Sequence, residues 1–351
     1  MAVNVKKIVS EAIKLYNEDK FDSALNLYKK ALPGIGFSEA GTLYYNIGLC
    51  HFSKYNYKAA EVSFKKSFND YNYKHCGYEL SMTLLFNHKL QEGLDMYHYR
   101  YFGERKSFPT LPTKQILSLS EAKDKKVLVL NEQGFGDEIL FSRGLPKICE
   151  LANEVHYQVY DKMVSLFKDN FYFNNLTYLT DRSLSYEFVM EFDCWISSGD
   201  IFSSYTKEYG LDYIPFKSEK TTKSNKLTVG LTWYANVKSG NSNHRSIDLT
   251  KIEPILNKDT ISCTSLQYGD CPEWMINEDI SDFKKTAEVI SKMDIIITVD
   301  TITAHLADMM NKKVILIYEE YLDWRWNFKF YDNVKIVKLS ELEEELKSHQ
   351  N

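Results

Sequence analysis

From residue 126 onward the chain alternates short apolar runs with amphipathic stretches, and that rhythm restricts the fold more than any other feature. Lys126–Asn131 (KVLVLN) is apolar, β-branched and too short for a helix, the pattern of a strand buried on both faces of a parallel sheet. A glycine-containing turn and an amphipathic stretch from Asp137 to Ala152 follow it. Then come Val155–Tyr160, a helix near Met163–Asn170, and strand candidates at Leu176–Leu179 and Cys194–Ile196. A Lys/Ser/Thr-rich stretch, Lys217–Lys226, interrupts the pattern. It restarts with Leu227–Trp233 (LTVGLTW), a helix near Leu249–Leu256, a strand at Ile261–Leu266, and a helix near Phe283–Lys292. The apolar run Ile295–Val299, a helix at Ala304–Met310 and a strand at Val314–Ile317 complete it. Two such blocks predict two Rossmann-like α/β halves with a cleft between them, where folds of this kind place their ligands.

The first hundred residues have a different rhythm. Three units align on one small residue each: Ala24, Ala60 and Gly93, spaced 36 and 33 residues apart. Unit one adds Ala12, Leu15, Tyr28 and Ala31. Unit two adds Tyr44, Ile47, Gly48 and Phe64, and unit three Ser81, Leu84 and Tyr97. The period brackets the 34 residues of a tetratricopeptide (TPR) repeat, in which small residues let paired helices approach and aromatics fill the gaps. A generic helical bundle is the alternative. The expected organisation is therefore a TPR-like module over 1–105, a connector over 106–124 (with Pro109 and Pro112) and a first Rossmann-like half over 125–216. A linker over 217–226, a second half over 227–340 and a tail over 341–351 follow. The fold class is α plus α/β.

Composition removes several functions. The net charge is −5, so the chain lacks the global Lys/Arg excess that non-specific duplex binding needs. None of the six cysteines (Cys50, Cys76, Cys149, Cys194, Cys263, Cys271) forms a C-x-x-C, and their spacings match neither a disulfide framework nor a zinc site. They read as reduced thiols of a cytoplasmic protein. The N-terminus carries charges through its apolar positions, unlike a signal peptide. No run of 18 apolar residues occurs to span a membrane.

Three stretches could carry chemistry. In NEQGFGDE (131–138) the third glycine of a dinucleotide fingerprint is replaced by Ile139, so the motif is broken as a cofactor loop. Gly134 and Gly136 still allow close backbone approach, and Asp137 falls at a helix start, either as a cap or as a carboxylate able to act as general base. The loop Tyr234–Arg245, extended by Ser246, follows the first strand of the second half. Gly240, its asparagines and serines, and Lys238, His244 and Arg245 suit a diphosphate; a plain polar loop is the alternative. In VDTITAH (299–305), Asp300 and Thr301 can cap a helix whose free N–H groups hold phosphate oxygens. His305 falls one turn in, as a ligand-facing or a structural histidine.

These stretches together resemble glycosyltransferase family 9, the heptosyltransferase group. KVLVLNEQGFGDEILF is similar to that family's first strand and Gly-Asp loop, and VDTITAHLADMMNKKVILIY to its Asp-Thr-x-x-x-His-Leu-Ala segment and following strand. Combined with the repeats, the chain also resembles TPR-glycosyltransferase proteins of bacteria and phages. Their ordered motifs stand here as Gly134–Asp137, Arg245–Leu249, Ser265–Gln267 and Asp323–Trp326. More distantly, it is similar in layout to the O-linked N-acetylglucosamine transferases. The resemblance implies a GT-B fold of two Rossmann-like halves and a nucleotide-sugar-dependent transferase. It assigns Asp137 as the catalytic carboxylate. It places Arg245, Gln267, Asp300, Thr301 and His305 around the donor and its phosphates, and with the residue readings above the expected donor set adds Gly136, Lys238, His244, Ser246 and Thr303. No metal and no cofactor beyond the nucleotide-sugar co-substrate are implied. The acceptor stays open among a protein side chain, a glycan and a modified nucleic-acid base, with a protein partner engaged through the repeats. Asp323–Trp326 receives no role, although a domain-locking helix end fits it better than a nucleobase platform. Heptose transfer to lipopolysaccharide is not implied, because acceptor residues of that reaction have no counterparts. The competing reading is a non-catalytic TPR interaction protein with a degenerate GT-B core. A nicotinamide or methyl-donor enzyme would need the glycine fingerprint that is broken here.

Overall fold

The computed structural model describes residues 5–102, 111–181, 183–218, 224–235 and 242–349. The chain divides into two compact units, Met1–Thr110 and Leu111–Asn351.

The first unit is helical: α1 (Val5–Asn17), α2 (Phe21–Ala31), α3 (Phe37–Ser53), α4 (Tyr57–Lys65), α5 (Gly77–Phe86) and α6 (Leu90–Met96). Each odd-numbered helix joins the next through a three-residue turn, so the six form three pairs. The middle residues of these turns, Asp19, Tyr55 and His88, have φ of 57°, 57° and 61°. Non-glycine residues rarely enter this left-handed region, and here the same turn recurs five residues before each of Ala24, Ala60 and Gly93. The backbone closes it identically each time, with the N–H of Lys20, Asn56 and Lys89 donating to Leu15, His51 and Leu84 carbonyls at 2.9 Å. The small residues sit where space is absent. A methyl on Gly48 would stand 2.5 Å from the Phe64 ring, and one on Gly93 2.6 Å from Leu85. Because Phe64 is fully buried, Gly48→Ala is expected to destabilise this unit by about 1–3 kcal/mol through overpacking. Urea denaturation checks this; an unshifted midpoint would mean that the Phe64 ring swings clear.

The second unit holds two parallel sheets. Its elements run β1 (Lys114–Gln115), β2 (Lys126–Leu130), α7 (Phe135–Phe141), α8 (Leu145–Leu151), β3 (Glu154–Gln158), α9 (Val164–Asn170), β4 (Leu176–Leu179), α10 (Tyr186–Val189), β5 (Cys194–Ser197) and α11 (Ser198–Tyr209). There follow β6 (Leu227–Thr232), α12 (Ser242–Arg245), α13 (Leu249–Leu256), β7 (Ile261–Ser265), β8 (Ile276–Asn277), α14 (Phe283–Ser291), β9 (Ile295–Thr298), α15 (Ile302–Met309), β10 (Lys313–Tyr318), β11 (Val334–Lys338) and α16 (Leu342–Lys347). The front sheet has the order β1-β5-β2-β3-β4 and the rear sheet β11-β10-β9-β6-β7-β8, with every pairing parallel. The central strands β2, β5, β6 and β9 are almost wholly buried, as their unbroken apolar runs predict.

The structure departs from the sequence reading in four places. Within the stretch read as a connector, β1 pairs with β5 and Ile116, Leu119 and Ala122 are fully buried, so this segment extends the front sheet. The final stretch carries α16, whose Leu342 and Leu346 pack into the rear core. The amphipathic stretch from Asp137 is broken at Ser142–Gly144 into two helices. There a methyl on Gly144 would stand 2.6 Å from Ile201, and Pro146 opens α8. Last, the expected cleft is closed at its base. Ile139, Leu145 and Ile148 of the front half share one apolar cluster with Ala304, Leu306 and Trp326 of the rear half. A second cluster fills the other side of the rear sheet.

A buried ion pair crosses the same junction. Arg143 donates to Asp308 on α15 at 3.3 Å and to the Phe330 carbonyl, with both side chains at most 2% exposed. No helix among the described residues is long and apolar enough to cross a membrane.

Candidate functional site

In the front sheet β3 and β4 lie on one side of β2 and β5 on the other; in the rear sheet β7 and β8 lie on one side of β6 and β9 on the other. Each reversal leaves a crevice at the carboxyl ends of its central strands, the usual ligand position in open α/β sheets. The three candidate stretches leave β2, β6 and β9, so all of them reach these two switch points.

At the front, Gln133 adopts φ 61° and Gly134 caps α7 in an extended conformation. Asp137, at the third helical position, accepts the Gly134 N–H at 3.0 Å through one carboxylate oxygen. It is thus a capping residue. Its other oxygen accepts from Arg325 of the rear half, so capping and outward presentation coexist in one side chain. Gly136 is required by the junction itself, since a methyl there would stand 2.8 Å from Cδ2 of His305. Beneath the loop, fully buried Glu138 accepts from Tyr157, from Ser198 at 3.1 Å and from the Glu132 N–H at 3.4 Å. Burial pushes its carboxyl well above the usual range, against the pull of the Ser198 hydroxyl. Glu138 is a structural anchor of the turn that sequence reasoning missed, since a polar residue on an amphipathic stretch gives no sign of facing inward.

At the rear, Arg245 ends α12 and donates through Nη1 to both the main-chain oxygen and Oδ2 of Asp300, each at 3.3 Å. Ser246 accepts the Ala235 N–H at 3.0 Å, and Gln267 accepts the Tyr234 N–H at 3.0 Å, which ties the ends of the loop to β7. His244 is exposed. Lys238 and Gly240 lie outside the described residues. Thr301 is the N-cap of α15, and its hydroxyl pairs with that of Thr298 at 3.0 Å instead of closing onto the helix. Thr303 is buried and pairs with Thr232 at 3.0 Å, which fixes α15 to the end of β6.

His305 is buried between the halves. Its Nδ1 lies 2.8 Å from the Tyr331 hydroxyl and its ring 5.0 Å from Trp326. Burial holds its pKa well below the ordinary value, and the charges of Arg325, Arg143 and Arg245 reinforce this. The imidazole is therefore neutral and brings no positive charge to an anion.

Asp300 is pushed up to about 6, first by burial and then by the Asp323 carboxylate, with Arg245 pulling the other way. Between pH 4 and 6 the folded protein thus holds a proton that the unfolded chain has released. Stability falls as pH rises through that window. Asp300→Asn is expected to flatten this part of the melting-temperature profile. An unchanged slope would assign the titration elsewhere.

The Asp323–Trp326 segment, noticed in the sequence without a role, brings Arg325 against Asp137. Asp323 accepts the Arg325 N–H at 3.1 Å and its Nη1 at 2.7 Å, while Nη2 reaches Gln133 at 3.2 Å and Asp137. Two ion-paired groups result: Asp300 with Arg245, and Asp137 and Asp323 with Arg325. All five side chains are 10–22% exposed, partly desolvated yet reachable.

No protein-family model matches the chain, and no curated protein matches it in sequence. Among solved structures it is similar to the E. coli heptosyltransferase WaaC with ADP, at 9% identity and a TM-score of 0.44. That likeness covers 64% of this chain and 100% of the other. It is also similar to the E. coli ADP-heptose lps heptosyltransferase II (9% identity, TM-score 0.47, covering 64% and 98%). A third is the glycosyl transferase family 9 protein of Veillonella parvula (8% identity, TM-score 0.44, covering 67% and 92%). Likeness at this level assigns no substrate and no residue role.

Proposed function

We propose that the Leu111–Asn351 unit is a GT-B glycosyltransferase that moves a sugar from a nucleotide-diphosphate sugar to an acceptor hydroxyl, without a metal and with inversion. The observation that carries this reading is the meeting of a partly exposed front-half carboxylate, Asp137, with the arginine-bearing lip of the rear half. Transfer from a nucleotide sugar separates charge: a diphosphate departs while a hydroxyl attacks the anomeric carbon and loses its proton. Asp137 takes that proton as general base. Arg245 and the free N–H groups at the start of α15 receive the departing diphosphate oxygens, a role in which prearranged donors outperform water. Gln267 and the loop ends it fixes hold the nucleoside, and Thr301 offers its hydroxyl at the helix start. Thr303 and His305 hold α15 against its neighbours, and Gly136 lets the Asp137 turn approach it.

The paired helices of the Met1–Thr110 unit are TPR repeats in this reading, and they engage the acceptor or a protein partner. The soluble protein works in the cytoplasm.

Titration with a panel of nucleoside diphosphates, followed by a hydrolysis screen of the matching nucleotide sugars in the presence of a chelator, tests the proposal. Saturable binding of one nucleotide and slow turnover of its sugar are expected. The second reading, a TPR interaction protein with a degenerate core, draws on the apolar cluster that fills the base of the crevice. It predicts no nucleotide binding at all.

A further inference from the structure

Asp323–Trp326 is the one recurrent motif that the donor site does not absorb. Asp323 holds Arg325 twice, by its backbone N–H at 3.1 Å and its Nη1 at 2.7 Å, so the guanidinium has little freedom to turn. Its Cζ lies 4.7 Å from the centre of the Trp324 ring, and Trp324 is 1% exposed. The outer edge of this fixed fork crosses from the rear half to the front half, where Nη2 donates to Gln133 at 3.2 Å and to Asp137. Asp137 is gripped from the other side by the Gly134 N–H at 3.0 Å.

We propose that Arg325 is the positioning residue for the Asp137 carboxylate, a step that rests on the transferase reading above. A base must present one lone pair along a fixed line to the attacking hydroxyl. A lone aspartate at a helix start can rotate about two side-chain bonds. Engaging one oxygen by an amide and the other by a braced guanidinium fixes the carboxylate plane, and the remaining lone pairs still accept a proton. The charge of Arg325 also offsets that of Asp323, its ion-pair partner, and opposes the push of Asp323 on the Asp300 carboxyl. Lysine cannot replace it, because a single ammonium on a flexible stem cannot serve Asp323, Gln133 and Asp137 in one plane.

The test has two arms on the full-length protein. In the first, denaturant stability is measured for Asp137→Asn, Arg325→Gln and the pair combined. The expected result is coupling: the double variant loses less than the two single losses added. Strict additivity overturns the proposal. In the second, steady-state hydrolysis is followed on the nucleotide sugar that the wild-type protein turns over. Arg325→Gln is expected to lower kcat by about 100-fold, with donor KM within about twofold of wild type. Arg325→Lys keeps the charge and the fold and recovers only part of kcat. An unchanged kcat, or a rise in KM at full kcat, overturns the positioning role. A wild-type protein that hydrolyses no donor sinks the transferase reading instead, and the first arm still decides whether Arg325 holds Asp137.

Discussion

Arg143→Met is expected to cost the Leu111–Asn351 unit about 3–5 kcal/mol at neutral pH, the range for removing one partner of a buried ion pair. The guanidinium is 2% exposed, and beyond Asp308 it donates to the Phe330 carbonyl and lies 4.0 Å from the centre of the Tyr213 ring. Methionine fills most of the volume, so the loss is that of charge and hydrogen bonds, not of packing. The sign of the pH dependence follows from Asp308. Burial raises its pKa despite the Asn333 amide at 3.0 Å and Arg143 beside it. Without Arg143 the carboxyl rises further and binds a proton in the folded state that the unfolded chain lacks. Stability of the variant therefore falls as pH rises, and its deficit against wild type is smaller at pH 5 than at pH 8. Asp308→Leu added to Arg143→Met recovers only part of the loss, because the Asn333 N–H is then left without its acceptor and the Tyr213 hydroxyl keeps only the main-chain oxygen of residue 308, at 3.3 Å. Chemical denaturation at the two pH values measures all of this, and equal deficits would remove Asp308 from the account.

Asp137→Asn is expected to lower sugar transfer by about 10²–10⁴-fold, the usual contribution of a general base, while nucleoside-diphosphate affinity stays within about twofold. The amide keeps the shape and can still accept from Gly134, but it takes no proton from a hydroxyl. Donor affinity is spared because the proposed diphosphate contacts lie on Arg245 and α15, on the other half of the crevice. Transfer at the native rate would end the base assignment; lost nucleotide binding would place Asp137 in the donor site instead. Initial rates and calorimetry on the same preparation separate the two outcomes.

Much of the architecture was legible because buried parallel strands write themselves as uninterrupted apolar runs. KVLVLN, LTVGLTW and IIITV mark the central strands without needing long-range information. The recurrence of Ala24, Ala60 and Gly93 likewise betrayed the helix pairs, since the same turn precedes each of them, the two alanines are fully buried and Gly93 packs against Leu85. What stayed hidden depends on contacts between distant residues. Nothing local marks Arg143 and Asp308 as partners across 165 positions, or Arg325 and Asp137 across 188. The two-residue strand at Lys114–Gln115 has no periodicity to read and exists only because β5 offers it an edge. Glu138 was invisible for a related reason: a buried acid is written in sequence as an ordinary surface glutamate.

One feature of the fold bears on how such a catalyst would handle water. Ile139, Leu306 and Trp326 belong to one apolar cluster that joins the two halves, so swinging those halves shut over bound reactants would tear that cluster apart. In the proposed transferase, dryness at the anomeric carbon is then expected from the acceptor itself, lying over the donor as a stopper. On that proposal, a donor without its acceptor stands in the open, and water is expected to act as the nucleophile. Wasteful donor cleavage is thus an expected property of the proposed transferase, and its suppression on adding candidate acceptors is a direct way to find the right one.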